Sequence, residues 1–292
     1  MNLKSLVLCG LGFLIASNPA LAAPETTSVK ASVCAYSGTI PGMIKLSHGK
    51  LKRLVIDLNN SNVQIDGVKG LNDISFVLSV CASSEALLDK FRLWVRPAFF
   101  SSGELIFRAD NFKNIYPASG NPIYAYSDFQ MRVPASLIVK VNSEAGDIAA
   151  KNISELTVKS DSGSITATQI NLLNANSDSG DIYGQDLGGV WIQKAVSGNV
   201  HISNAAGDVE VDSIGSGKLT LKNVKGSLAI HSMGTGESNL TQVGGNVVID
   251  KTGSGGVQAN DLDGNFTVKD NGGGAITYSN IKGTVSVAKP GT

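Results

Sequence analysis

Acid–base or metal chemistry in this chain would draw on three histidines, His48, His201 and His231. It could also use aspartates that follow glycines, Asp147, Asp181 and Asp208. A metal site needs His, Cys or carboxylate ligands at recognisable spacings. The histidines are scattered and show none, so no metal and no cofactor is expected. A Ser–His–Asp set can be assembled only because Ser and Asp are common everywhere, and nucleophilic catalysis needs those groups to converge. A carbohydrate-cleaving site would want clustered carboxylates beside a basic group, and no Arg follows Arg132. Asp after Gly is ordinary turn chemistry. The glycine-rich stretch Gly253–Gly256 opens no helix, so it is no phosphate loop. No catalytic, cofactor-binding or metal residue is therefore assigned, and the chain is expected not to be an enzyme.

What must position any chemistry is a repeat. A small residue followed by glycine recurs at Gly146, Gly163, Gly180, Gly198, Gly217, Gly236, Gly255 and Gly274, at spacings of 17, 17, 18, 19, 19, 19 and 19. Aligned on that glycine, aliphatic residues alternate two and four positions later, as in Ile165/Ala167 and Leu219/Leu221. A second alternating pair follows, as in Leu156/Val158, Leu228/Ile230 and Val247/Ile249. Period-2 alternation reads as a strand with one buried face. A unit this short cannot bury its own apolar face, but stacked units can, each inward residue meeting its column-mate about 4.8 Å away. The expected fold is all-β, a parallel β-solenoid of coils of 17–19 residues. Eight such coils make a rod of about 38 Å.

A polar column is as regular as the apolar ones. Six residues after each marker glycine stand Asn152, Gln169, Asp186, Asn204, Asn223, Gln242, Asp261 and Asn280. Its acidic members fall irregularly, which disfavours a row of ions. Corner residues that satisfy turns, with amides bonding along the rod, are the expectation. Alternation also sends Tyr183 and Trp191, both in the third coil, outward. They form the candidate binding surface for a protein or glycan partner; packing against the rest of the chain is the alternative. The outward row that holds Tyr183 continues through His201, which has no carboxylate beside it in that row.

Lys4, the apolar run Leu6–Ile15 and the small residues Ala20 and Ala22 have the pattern of a secretory signal peptide cleaved after Ala22. About ten apolar residues fall short of the roughly 20 that span a bilayer. Export would permit a disulfide, and removal of the leader leaves two cysteines, Cys34 and Cys81. Their pairing is expected; two buried thiols are the alternative. The 24 basic and 24 acidic side chains cancel, so a nucleic-acid partner is not expected. Residues 1–22 are thus a signal peptide and 136–292 the regular repeats. Between them, 23–135 form a capping segment of strands with one short helix over Ser83–Lys90, and residues 51–70 have the look of a first coil.

The opening RLVIDLNNSNVQIDGV, the run FQMRVPASLIVKVNSEAGDI and the recurring SG-x-[VI] units resemble a family of bacterial β-solenoid domains. These take the name adhesin from their architecture and are akin to autotransporter-adhesin heads. The resemblance covers roughly residues 50–290 and implies an exported, non-catalytic solenoid of the cell envelope, with no functional residues to carry over. Periplasm is the expected compartment, with the cell surface or medium next. A polysaccharide-binding or -cleaving β-helix, or an accessory factor for envelope assembly or stress, is the alternative role.

Overall fold

The computed structural model describes residues 6–8, 34–46, 51–98, 103–109, 120 and 123–291. The N-terminal third holds β1 (Leu6–Leu8), β2 (Tyr36–Lys45), β3 (Arg53–Asp57), β4 (Ser61–Val68), β5 (Asp73–Ala82), α1 (Glu85–Leu88), β6 (Leu93–Ala98), β7 (Glu104–Ala109) and β8 (Ala125–Pro134). The regular stack follows with β9 (Ile138–Ser143), β10 (Ile148–Lys151), β11 (Glu155–Ser160), β12 (Ile165–Thr168), β13 (Leu172–Ser177), β14 (Ile182–Leu187), β15 (Gly189–Ala195) and β16 (Val200–Ala205). It continues through β17 (Val209–Ile214), β18 (Leu219–Val224), β19 (Leu228–Met233), β20 (Ser238–Val243), β21 (Val247–Thr252), β22 (Val257–Leu262), β23 (Phe266–Asn271), β24 (Ile276–Ile281) and β25 (Val285–Val287). From β9 onward each coil gives one strand to each of two sheets, and every pairing within the stack is parallel. The expected parallel solenoid is the observed fold.

The core lies between the sheets and is built of ladders. In the first, 13-stranded sheet, Leu156, Leu173, Val190, Val209, Leu228, Val247 and Phe266 follow one another in register, each buried. In the second, 12-stranded sheet, Ile148, Ile165, Ile182, Val200 and Leu219 do the same. Each fully buried Leu, Ile or Val contributes roughly 1.5–3 kcal/mol relative to exposure. The repeat lengthens from 17 to 18 residues where β15 carries a bulge: Ala175 faces Ile192 but Asn176 faces Lys194. The inward ladders pass through it intact.

All eight members of the polar column are left-handed, with φ between 52° and 59°. Asn and Asp tolerate that conformation better than most side chains, which accounts for most of the column. The amides also bond along the rod. Asn204 Nδ2 donates to Asp186 Oδ1 at 2.8 Å, Asn223 Nδ2 to Asn204 Oδ1 at 2.8 Å and Asn280 Nδ2 to Asp261 Oδ1 at 2.6 Å. Of the marker glycines, Gly146 and Gly163 have positive φ, and the others are held to glycine by a different cause. Gly180 has no positive φ, yet a Cβ there would sit 1.7 Å from the carbonyl oxygen of Gly163 in the coil before. Close backbone approach, repeated up the rod, keeps that column glycine.

The N-terminal third departs from simple stacking. Residues 51–70 do form a coil, β3 and β4, but it is not outermost. The chain leaves through β5, α1 and β6 and returns as a second coil, β7 and β8, which pairs parallel on its outer side. It then passes over the first coil so that β9 and β10 join the opposite edge. Antiparallel β5 and β2 extend one sheet beyond β8, and antiparallel β6 extends the other beyond β7. Phe76, Phe107 and Phe129 meet edge-on or tilted at 5.0–5.7 Å in this cap. The helix is shorter than expected, four residues, with the Ser84 side chain accepting from the Leu87 amide. Cys34 and Cys81 are disulfide-bonded, Cα to Cα 5.7 Å, clamping the chain before β2 to the end of β5. The signal-peptide segment lies outside the described residues except for β1, which pairs with Leu93–Val95 of β6.

Candidate functional site

The outer face of the first sheet carries a row of charges assembled by coil length. The register places Val211 beside Ile230, Ile230 beside Ile249 and Ile249 beside Val268, all pointing inward. The residue after each points outward, so Asp212, His231, Asp250 and Lys269 stand in one row, 19 residues apart in sequence and one strand apart in space. Glu210, two residues before Asp212 on β17, shares that outer face.

His231 sits between carboxylates. Its Nδ1 is 2.7 Å from Asp250 Oδ2 and its Nε2 is 3.1 Å from Glu210 Oε1. Asp250 Oδ1 in turn accepts from Lys269 Nζ at 2.8 Å. Hydrogen bonds accepted by Asp250 first and Glu210 second favour the imidazolium and hold the His231 pKa above its ordinary 6.5. Lys269 first, then His231, holds the Asp250 carboxyl below its ordinary 3.8. The group therefore runs acid, imidazole, acid, base, with Asp212 beside it. The reading that the scattered histidines show no ligand spacing misses His231, whose carboxylate neighbours stand 19 and 21 residues away in sequence. Chemical neighbours in this fold lie a coil length apart, so the 19-residue interval, applied to the charged residues as well as the glycines, would have exposed the cluster.

Trp191 lies on the same face. Its β15 position pairs with Glu210 on one side and Asn174 on the other. The indole is 38% exposed, so it presents an apolar plate beside the acidic group. Asn174 Oδ1, on the neighbouring strand β13, is buried and has no hydrogen-bond partner among the described residues. Tyr183 is 43% exposed but belongs to the other sheet, on β14, between Thr166 and His201 in register. Its hydroxyl donates to Asp181 Oδ2 at 3.0 Å, which raises its pKa. The two aromatics share a coil but not a surface.

A third feature is an open groove of about 500 Å³ along the left-handed corner, lined by Gln169, Asp186, Asn204, Asn223 and Lys225. The Asn204 and Asn223 amides there are tied into the corner ladder.

Residues 139–290 match the model of the family described as Toastrack DUF4097. A search of curated proteins matches nothing. Among solved structures the chain is similar to a "putative adhesin" from Bacteroides fragilis at 11% identity, with 86% of this chain and 97% of that one covered and a TM-score of 0.37. It is also similar to a "putative lipid binding protein" from Parabacteroides distasonis at 14% identity, with 86% and 97% covered and a TM-score of 0.40. A "putative cell adhesion protein" from Clostridium sporogenes aligns at 9% identity, with 86% and 100% covered and a TM-score of 0.27.

Proposed function

Because the chain belongs to the Toastrack DUF4097 family, whose matched region is the regular stack, we propose that it is an exported, non-catalytic solenoid that binds a glycan or protein. The binding surface is the outer face of the first sheet around Trp191. The observation that carries this reading is an exposed indole standing in register with Glu210, at the edge of a row of paired charges. Aromatic plates joined to polar rims suit ligands that are apolar on one side and hydroxyl-rich on the other. Export is supported by the leader pattern and by the Cys34–Cys81 bond, which belongs to an oxidising compartment. No helix among the described residues is long and apolar enough to cross a membrane.

The same geometry argues against catalysis. A His–Asp pair activates a nucleophile only when the second ring nitrogen reaches that nucleophile. In His231 both nitrogens face carboxylates, and neither faces a serine, cysteine or threonine. Periplasmic function is the compartment this reading favours. A glycan array and a pull-down with the mature protein test it, repeated with Trp191→Ala and Tyr183→Ala. Binding weakened about tenfold or more by Trp191→Ala and unchanged by Tyr183→Ala is the expected result. Turnover of any glycan, abolished by His201→Ala or His231→Ala, would contradict it.

A further inference from the structure

Among the described residues, Glu210, Asp212 and His231 are the trio of ligand-type side chains whose nearest donor atoms all lie within 4.8 Å of one another. We propose that they form an open-faced site for a divalent transition cation of the zinc type on the outer face of the first sheet. This is independent of the glycan or protein reading and does not require it.

Three observations converge. First, the donors come from adjacent strands of a continuous parallel sheet, β17 and β19, so their backbones are held at fixed spacing by the ladder on both sides. Glu210 and His231 are exposed and Asp212 is half-buried, so the donors open onto solvent. Second, the histidine is oriented from behind. Asp250 binds Nδ1 at 2.7 Å and is itself tied to Lys269 at 2.8 Å. Metal-ligating imidazoles characteristically donate their other N–H to a carboxylate, which fixes the tautomer and raises ligand basicity. Here that partner is in place, and Nε2 is left facing Glu210, with an Asp212 oxygen within ligand reach of the ring. Third, the charge balances. Two carboxylates and a neutral imidazole match a dication.

The donor set selects the ion class. One imidazole with two carboxylates suits zinc, nickel, copper or iron, while magnesium and calcium prefer all-oxygen shells. Three protein ligands leave at least one position open to water or to a donor from a bound molecule. Because Glu210 is the register neighbour of Trp191, that open position lies on the face that carries the indole.

The experiment is isothermal titration of the full chain, free of any histidine tag and stripped with chelator, against ZnCl2 and separately against MgCl2 and CaCl2. Imidazole resonances are followed in parallel by long-range 1H–15N NMR. One zinc equivalent should bind, with the His231 Nε2 resonance shifting on addition and magnesium and calcium giving no such shift. His231→Ala and Glu210→Gln should each weaken zinc binding more than tenfold. Asp250→Asn, which leaves all three ligands present, should weaken it by about tenfold or more through the orienting bond. His201→Ala should leave it unchanged. Circular dichroism of each variant establishes that the rod is intact, and the NMR shift in unmodified protein stands even if a variant fails to fold. Zinc binding that leaves His231 Nε2 unmoved, binding that survives His231→Ala in a folded variant, or no binding at millimolar zinc would each overturn the proposal.

Discussion

The two outer faces of the rod carry one histidine each in the regular stack, and the two environments differ. On the second sheet, His201 has Tyr183 and Thr220 as register neighbours. On the first, His231 is bracketed by Asp250 and Glu210, with Asp212 in reach and Lys269 behind. Both faces share coil length, corner ladder and core. The difference is what stands one coil before and one coil after. In a solenoid, a residue's chemical neighbourhood is set by the coil spacing, and local sequence motifs miss it.

Breaking the shared core should abolish both faces together, and it is the largest effect expected. Leu228 is 1% exposed, between Val209 and Val247 in register. Leu228→Asp would bury a charge with no partner, at a cost of several kcal/mol. The expected outcome is loss of the cooperative melt and of strand circular dichroism; an unchanged melting temperature would refute the register.

Removing the clamp on the cap comes next. A Cys34→Ser/Cys81→Ser double variant opens a loop whose closure is worth about 4 kcal/mol in the chain-entropy model. Thermal denaturation should show a clear loss of stability, with the regular stack retaining its circular dichroism below the transition. Equal stability with and without reductant would count against the clamp.

Much of this is legible in the sequence. The glycine spacing and the paired aliphatic columns specify the stack, because a parallel coil must bring like positions together. The left-handed corner was visible as the Asn/Gln/Asp column, although its conformation was not. Two things were hidden for physical reasons. The order of the N-terminal coils, with β3 and β4 lying between β7–β8 and β9–β10, depends on long-range pairing that no local pattern records. The His231 group is hidden because it sits on the second strand of each coil, while the outward row through Tyr183 and His201 runs along the first.

A smaller effect sharpens the role of the corner that both faces share. Asn204 stands at φ 58° and bridges Asp186 and Asn223. Asn204→Val places a β-branched residue in the left-handed region and removes both amide bonds, so a destabilisation of about 1–3 kcal/mol is expected. Asn204→Gly, which relieves the backbone, should recover part of it in urea titrations.

The smallest effect separates the faces by pH. The raised pKa of His231 contributes stability that is fully present below its unfolded value, 6.5, and is lost as pH rises through the higher folded value. The lowered pKa of Asp250 contributes above its unfolded value, 3.8, and is lost as pH falls through the lower folded value. The cluster thus stabilises most between 3.8 and 6.5. Both side chains are substantially exposed, so the gain lies in the surface-pair range, below about 1 kcal/mol. Difference melts of the protein against His231→Ala, with chelator present, should show the gap narrowing on both sides of that window. A gap independent of pH would count against the pairing.

The most direct test is the titration of His231 by NMR in the presence of chelator, on unmodified protein and on Asp250→Asn. If coil register creates the chemistry of the first face, His231 titrates above 6.5. Asp250→Asn should then lower its midpoint. A His231 midpoint at or below 6.5, or one indifferent to Asp250→Asn, would contradict the account.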